Sequence, residues 1–219
     1  MYKIFMGRSF VEKLKKGCLI VFSGPSGAGK DTILNKIMDK KENLKLSVSH
    51  TTRPPRDGEV DGKNYYFVSK QKFMEMVKNG EMLEYAIYCG NYYGTSVVKV
   101  RGELEKGNDV ILEIEVQGAE QVMKKVPEAL SIFILPPSLS ELKKRLQNRG
   151  TDSTEIIDQR VKEAENEISL AHNYDYVVVN DDIEKSAEKV LKIIELQEMK
   201  SKNMKHKINE VLGYERNIG

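Results

Sequence analysis

The sequence has few cysteines and no long apolar stretch. Its two cysteines, Cys18 and Cys89, have neither the spacing of a zinc site nor the density of a disulfide framework, so we expect free thiols. The apolar stretches are about as long as a β-strand and fall far short of the roughly 20 residues that span a bilayer. Residues 1–16 also lack the apolar block of a signal peptide. These absences predict a cytoplasmic protein without a membrane partner.

The chain also lacks a large net charge. Its formal charge is +2, but residues 1–17 carry +4 and residues 199–219 carry +3, which leaves −5 on residues 18–198. A central region of that sign argues against a broad nucleic-acid surface, so we predict no nucleic-acid partner. We interpret residues 1–16 as a basic N-terminal extension and residues 199–219 as a basic C-terminal tail.

The sequence does contain a series of short β-rich runs separated mostly by helix-like segments. Their near-continuous apolar character is typical of strands covered on both faces, and the alternation favours a parallel sheet. Five runs are predicted as strands, at Cys18–Phe22, Leu46–Val48, Asp109–Val116, Leu130–Leu135 and Tyr176–Val179. We therefore predict an α/β fold with a doubly wound, five-stranded parallel core that binds its ligand at the carboxyl ends of the strands.

Two stretches interrupt this alternation. Residues 50–107 are rich in Gly, Tyr and turn residues, and short alternating pieces at Tyr65–Val68, Leu83–Tyr88 and Asn91–Thr95 indicate an inserted mixed α+β subdomain. Residues 138–170 read as helix, turn, helix. The core then consists of residues 17–49, 108–137 and 171–198.

The apolar periodicity also places individual helices in these regions. In residues 138–170, one face carries Leu139, Leu142 and Leu146, and a second carries Ile156, Ile157, Val161, Ala164 and Ile168. A last long helix is predicted from Ile183 to about Met199, and only weak periodicity follows it. The two inserted pieces suggest movable flaps on the core.

A glycine-rich segment directly after the first predicted strand carries the strongest functional signal. It reads Gly24-Pro25-Ser26-Gly27-Ala28-Gly29-Lys30-Asp31-Thr32 and precedes a helical pattern. Glycines let backbone N–H groups turn inward, the helix start adds partial positive charge, and Lys30 adds a full charge. This is the P-loop pattern, and it predicts that the chain binds a nucleoside triphosphate.

The P-loop departs from its usual pattern at one position. Asp31 stands where Ser or Thr usually meets magnesium, and the hydroxyl follows one residue later, at Thr32. A carboxylate pointing inward would disfavour phosphate. We therefore expect Asp31 to face solvent and Thr32 to serve the metal, through water or directly.

A second segment presents two arginines around two prolines. It runs from Ser47 to Ser69, and Arg53 and Arg56 lie three residues apart. Prolines stiffen such a loop, so the two guanidinium groups are presented with little ordering cost. Forked guanidinium donors suit a phosphate dianion.

Over about residues 17–198 the chain resembles the guanylate kinases. The arginine segment is similar to that family's signature, and further motifs follow in the family's order: Glu84-Tyr85-Ala86, Gly90-Asn91-Tyr92-Tyr93-Gly94-Thr95, Leu112-Glu113-Ile114-Glu115-Val116-Gln117-Gly118-Ala119, Pro136-Pro137-Ser138 and Arg149-Gly150-Thr151-Asp152-Ser153. The resemblance implies ATP-dependent phosphorylation of GMP to GDP in purine nucleotide metabolism, with Mg²⁺ as cofactor. It also implies that residues 50–107 bind the monophosphate and that residues 138–170 form a lid.

The same resemblance assigns roles to individual positions. The P-loop residues Gly24 to Thr32 and Asn180 would bind ATP. The GMP phosphate would be held by Ser49, Arg53, Arg56, Tyr65 and Tyr93, and the guanine by Glu84, Thr95 and Glu115. The catalytic cations would be Lys30, Arg53, Arg56 and the lid arginines Arg145, Arg149 and Arg160.

The chemistry of three carboxylates bears on these assignments. Guanine presents two adjacent donors, N1–H and the exocyclic amine, which the two oxygens of Glu84 can accept, whereas adenine has an acceptor at N1. Glu113 and Glu115 alternate in the strand predicted to end at Val116, so they should share a face. That face suits water ligands of magnesium, with Thr32 and Glu113 as metal candidates, or a contact to the base.

Two alternatives remain open on sequence alone. One is a scaffold domain that resembles guanylate kinases but binds peptides without catalysis. The other keeps the reaction and changes the acceptor to AMP or a pyrimidine monophosphate. The sequence also leaves monomer or homo-oligomer undecided.

Overall fold

Five short strands form one parallel sheet at the centre of the molecule. The computed structural model describes residues 17–88, 90–148, 153–201 and 203–213. The elements follow one another as β1 (Leu19–Ser23), α1 (Lys30–Lys40), β2 (Leu44–Leu46), β3 (His50–Thr51), β4 (Tyr66–Phe67), α2 (Lys70–Lys78), β5 (Met82–Tyr88), β6 (Asn91–Ser96), α3 (Val97–Glu105), β7 (Asp109–Glu113), α4 (Val116–Lys125), β8 (Leu130–Leu135), α5 (Leu139–Asn148), α6 (Thr154–Ser169), β9 (Tyr176–Val179), α7 (Ile183–Glu198) and α8 (Lys205–Val211). The central sheet has the order β2-β7-β1-β8-β9 and all its strands are parallel, which confirms the predicted fold class.

Side chains of β1 alternate between two apolar layers, as expected for a strand buried on both faces. Leu19 and Val21 pack in a cluster with residues of α3 and α4. Ile20 and Phe22 pack on the other face with residues of α1 and α7. The sheet is thus covered by helices on both sides, and its carboxyl edge is left to the loops.

Several predicted boundaries shift. β2 lies two residues before the predicted Leu46–Val48, and the strand predicted to reach Val116 ends at Glu113. Val116 instead opens α4 and packs against the core from there. A short apolar run does not distinguish the end of a strand from the first turn of a helix that covers it.

The interval 50–107 contains a second sheet, with the order β4-β3-β6-β5 and a small core of Phe73, Met76 and Met82. Its two-residue strand β3 was not predicted. Helix α3 falls in the same interval, yet its Val97, Val100 and Leu104 pack into the core of the central sheet.

Helices α5 and α6 pack together through a cluster of Leu142, Leu146, Ile157 and Ala164. Ile156, which was predicted on the apolar face, is 46% exposed instead, because its neighbour Ile157 points inward. Residues 149–152 of the predicted turn lie outside the described residues, as does Cys89.

The C-terminal region contains the predicted helix and one that was not predicted. α7 runs close to the predicted bounds and buries Ala187, Val190 and Ile194, whereas α8 lies where only weak periodicity was seen. Among the helices that the structure describes, none combines the length and hydropathy that a membrane span requires.

Candidate active site

The P-loop lies between β1 and α1, at the carboxyl edge of the central sheet. Gly24 and Gly29 have φ of +150° and +91°, a region that L side chains rarely adopt. A Cβ at Gly24 would lie 2.3 Å from the carbonyl oxygen of Ile134 in β8, so the loop packs tightly on the neighbouring strand. The tight turn places the N-terminus of α1, which begins at Lys30, next to the loop.

Lys30 lies over this loop. Its Nζ donates to the carbonyl oxygens of Gly24 (2.7 Å) and Pro25 (3.2 Å). Because both acceptors belong to the P-loop, the charge of Lys30 is already held where the phosphates of a nucleotide bound to the loop would lie.

Two side chains hold the P-loop through hydrogen bonds. Asn180 Nδ2 donates to the carbonyl oxygen of Ala28 (2.7 Å), and Arg145 Nη2 donates to the carbonyl oxygen of Asn180 (3.0 Å). Asn180 has no accessible surface, so in this conformation its side chain holds the loop and is not open to a base. Arg145 reaches the loop from α5, where its Nε also donates to Glu141 (3.2 Å).

Carboxyl groups gather beside Lys30. Asp31 is exposed, but its carboxyl group interacts with that of Glu113 at the end of β7 and does not simply face solvent. Burial and this neighbour raise the pKa of Glu113 to about 7, and the charge of Lys30 opposes the rise. Asp31 and Glu113 therefore bring two carboxyl groups together near Lys30, and Thr32, which follows Asp31 in α1, is exposed.

Glu115 does not lie where the sequence predicted it. It precedes α4 and is not part of β7, so it does not share a strand face with Glu113. Its side chain is exposed and interacts with Glu167 near the end of α6. Burial and the carboxyl group of Glu115 raise the pKa of Glu167 to about 7.

The arginine loop forms a cationic and aromatic cluster. Arg53 donates through both terminal nitrogens to Glu59 (2.8 and 3.0 Å), and its guanidinium lies 5.5 Å from the ring centre of Tyr65. The hydrogen bond with Glu59 holds the pKa of Arg53 above its usual range, and a hydrogen bond with Tyr93 adds to this. The rings of Tyr65 and Tyr93 meet edge to face at 5.8 Å.

The remaining predicted phosphate ligands lie close to this cluster in the chain. The side chain of Arg56 is exposed, and its backbone N–H donates to Glu59 (2.7 Å). Ser49 is half-buried and accepts through its carbonyl oxygen from the backbone N–H of Tyr66.

A buried carboxylate lies on the hairpin of β5 and β6. Glu84 is only 3% exposed, and its Oε1 accepts from Thr95 Oγ1 (2.6 Å). Burial raises the pKa of Glu84, while the hydrogen bond from Thr95 and the charge of Lys125 lower it. The structure thus brings together two of the three side chains predicted to contact guanine.

Glu113 interacts both with the P-loop and with the arginine cluster. Its carboxyl group interacts electrostatically with Lys30 of the P-loop and with the phenol of Tyr65 in the arginine cluster. One carboxylate therefore interacts with a residue of the predicted triphosphate site and with a residue of the predicted monophosphate site. Of the other arginines predicted to belong to a lid, Arg160 is half-buried in α6 and Arg149 lies outside the described residues.

Sequence reasoning missed several residues of this site. Glu59, which holds Arg53, was quoted only as part of a motif, although its spacing three residues after Arg56 was visible. No local pattern distinguishes Glu167 or Lys125 from ordinary surface residues of a helix. Their contacts join segments that are distant in the sequence.

Comparisons with known proteins agree with this geometry. A family model described as guanylate kinase matches residues 16–197. Guanylate kinase from Streptococcus thermophilus (strain CNRZ 1066) is 51% identical over 205 residues, covering 93% of this chain and 95% of that protein. Guanylate kinase from Lactococcus lactis subsp. lactis (strain IL1403) is 56% identical over 183 residues, covering 84% and 89%.

A solved structure is similar as well. The crystal structure of guanylate kinase from Anaplasma phagocytophilum aligns with a TM-score of 0.69 and 38% identity, over 85% of this chain and 88% of that one. The matched segment contains both the P-loop and the arginine cluster. The chain therefore belongs to the guanylate kinase family.

Proposed function

We propose that the P-loop binds ATP and that the sheet of β3 to β6 binds GMP across from it, for the reaction of the family. The chain is an ATP:GMP phosphotransferase, which transfers the γ-phosphoryl group of ATP to GMP and gives ADP and GDP. The observation that carries the assignment of the acceptor is the buried Glu84, paired with Thr95 on the hairpin of β5 and β6.

On the donor side, the P-loop glycines present backbone N–H groups to the phosphates and Lys30 supplies the full charge. Phosphate oxygens would draw Lys30 Nζ from the two carbonyl oxygens that it now contacts. Asn180 contributes by holding the loop through the carbonyl oxygen of Ala28.

The oxygen-rich corner beside Lys30 fits Mg²⁺. This ion prefers oxygen ligands and is usually held by one or two carboxylates together with waters and substrate phosphates. Glu113 would hold it with Asp31 and Thr32, directly or through water. A bound Mg²⁺ would neutralise part of the phosphate charge during transfer. Metal binding would also remove the repulsion between the two adjacent carboxyl groups.

On the acceptor side, Arg53 holds the phosphate of GMP with Arg56, Tyr65, Tyr93 and Ser49. The paired contact that Arg53 now makes to Glu59 has the geometry that a phosphate requires. A phosphate dianion carries more charge than a carboxylate, so it displaces Glu59 from the guanidinium.

The base is recognised on the hairpin. Glu84 accepts from N1–H and the amine of guanine, and Thr95 orients its carboxylate. Glu115 lies at the start of α4 and contacts the base only if the exposed side chain turns toward it. Adenine would leave the buried Glu84 without donors, which costs on the order of 10⁴ in selectivity in favourable sites.

Transfer requires alignment and charge compensation, because the acceptor phosphate is itself the nucleophile and no general base is needed. Arg145 and Arg160, with Arg149, stabilise the phosphoryl group as it moves. That residues 138–170 close as a lid, and that the chain acts in the cytoplasm on free nucleotides without nucleic acid or a membrane, stay predictions from the sequence.

The sharpest test of the donor side is Lys30→Met. Removal of a well-aimed charge lowers kcat by roughly 100-fold or more. The variant loses two hydrogen bonds to the P-loop, so its free energy of unfolding falls by no more than about 2 kcal/mol. A coupled assay with ATP and GMP measures turnover, and thermal unfolding measures stability.

The matched control is Lys36→Met in the same helix, because Lys36 pairs with Glu184 at the surface. It should keep its turnover. Wild-type turnover in Lys30→Met would remove Lys30 from the mechanism. Folded wild-type protein that forms no GDP from ATP and GMP would reject the proposed reaction.

A further inference from the structure

Helix α4 contacts the backbone of β5 on both sides of Glu84. Lys125 Nζ donates to the carbonyl oxygen of Leu83 (2.6 Å). Gln121 Nε2 donates to the carbonyl oxygen of Tyr85 (2.7 Å), and its Oε1 accepts from the N–H of the same residue (3.3 Å). The residues before and after Glu84 are therefore both hydrogen-bonded to one helix of the central core.

These contacts take the place of a neighbouring strand on the open side of β5. Among the residues that the structure describes, β5 lies at the edge of its sheet and pairs with β6 on one side only. An edge strand has unpaired backbone groups, which leaves it free to fray or shift. The amide of Gln121 offers one donor and one acceptor to Tyr85, as a neighbouring strand would.

The same helix packs directly on the carboxylate. A Cβ at Gly118 would lie 2.5 Å from Glu84 Oε2, so a larger residue there would displace the carboxylate from its present position. Thr95 holds the other oxygen of Glu84 from β6. The carboxylate is thus enclosed between the hairpin and α4.

Lys125 also acts on Glu84 through its charge. Burial raises the pKa of Glu84, and the positive charge of Lys125 opposes that rise. Glu84 in turn opposes the lowering of the pKa of Lys125 by burial. The lysine therefore favours the ionised form of Glu84, the form that can accept two hydrogen bonds.

We propose that Gln121 and Lys125 are positioning residues for recognition of the base. They fix β5 to the core so that both oxygens of Glu84 stay aligned for the two adjacent donors of guanine. This inference rests on the proposed role of Glu84. It extends the specificity site from the hairpin, which carries Glu84, to two side chains of a core helix that contact the strand on either side of it.

The test compares Gln121→Ala and Lys125→Met with the control Lys124→Met. Lys124 is the neighbouring lysine of α4, but it pairs with Glu120 at the surface and is 73% exposed. For both test variants, we expect KM for GMP to rise by roughly five- to tenfold, the loss of one or two hydrogen bonds. KM for ATP and the parameters of Lys124→Met should stay at wild-type values.

The pH profile distinguishes positioning from a loss of stability. In Lys125→Met, KM for GMP should rise more steeply than in wild type as the pH falls below neutral, because Glu84 becomes protonated at a higher pH. Lys125→Arg keeps the charge, so its KM for GMP should depend on pH as in the wild type. If Gln121→Ala is unfolded at the assay temperature, Gln121→Met keeps the length of the side chain and serves in its place.

Glu84→Gln, assayed in parallel, separates the two proposals. If Glu84→Gln weakens GMP use while both test variants match Lys124→Met, the inference about α4 is wrong and the assignment of Glu84 stands. If Glu84→Gln leaves the preference for GMP over AMP unchanged, the assignment of Glu84 itself is wrong.

Discussion

At the scale of single residues, the site contains charged groups whose burial is unfavourable, together with partners that stabilise their charged forms. Glu84 is enclosed almost completely and has only Thr95 and the charge of Lys125 to favour its ionised form. Arg53 has Glu59 as its partner. Such residues favour function over stability.

This trade-off predicts a pH-dependent effect of Glu84→Gln on stability. The folded-state pKa of Glu84 lies above its unfolded value, so the protonated carboxyl stabilises the fold at low pH, and this contribution is lost as the pH rises through the folded-state pKa. Glutamine stays neutral. The difference in Tm, variant minus wild type, should therefore grow as the pH rises above about 4.5, the unfolded-state value.

Thermal unfolding at a series of pH values measures this difference. Glu105→Gln is the control, because Glu105 is exposed on α3 and its replacement should give a nearly constant difference. A difference for Glu84→Gln that does not change with pH would contradict the burial argument.

At the scale of elements, the P-loop is held from several sides. Two side chains donate to the carbonyl oxygen of Ala28: Asn180, which directly follows β9, and Arg145 of α5. Side chains of α5 also pack on the loop, since a Cβ at Gly27 would lie 3.2 Å from Leu142 and Leu146. The loop conformation therefore depends on elements more than 100 residues away in the chain.

Gly29→Ala tests this tight support. Position 29 has φ +91°, and a Cβ there would lie 2.4 Å from Asn180 Nδ2. We expect a loss of about 2 kcal/mol or more in the free energy of unfolding, or roughly 5 °C in Tm, together with a higher KM for ATP.

Gly58→Ala is the matched control for backbone strain alone. Gly58 has φ +83° with no neighbouring atom within 4 Å of a Cβ. Its loss of stability should be the smaller one, with KM for ATP unchanged. Equal losses and equal values of KM in both variants would mean that contact with Asn180 does not matter.

At the scale of the whole molecule, the residues predicted to bind the two substrates form two groups, one on the central core and one on the smaller sheet, and Glu113 interacts with Lys30 of the first and Tyr65 of the second. Both groups carry cationic side chains, Lys30 in the first and Arg53 in the second. Residues 18–198 thus carry a net charge of −5 but contain a local group of cationic side chains.

Binding of GMP should stabilise the whole fold. A ligand at 100 times its Kd adds about 2.7 kcal/mol to the free energy of unfolding. For a chain of this size that corresponds to roughly 5 to 10 °C in Tm. AMP at the same concentration should give a much smaller shift, because it carries the same phosphate but lacks the donors that Glu84 accepts. Equal shifts with both nucleotides would show that the phosphate alone accounts for binding.

Local patterns in the sequence predicted much of this protein. Short apolar runs that alternate with helical segments predicted the five-stranded parallel core. The glycines and lysine after the first strand predicted the P-loop. The missed features were short or ambiguous locally. β3 has two residues, α8 has weak periodicity, and Val116 suits a strand end as well as a helix start.

What the sequence alone determined is therefore the layered core and the chemical types gathered in its loops, because backbone preference and side-chain periodicity act over a few residues. What only the tertiary structure decided is which of these groups meet. Asp31 meets Glu113, Glu115 meets Glu167, and α4 encloses Glu84. Each of these contacts joins distant segments, so it depends on how whole elements pack and leaves no signal in any short stretch of the chain.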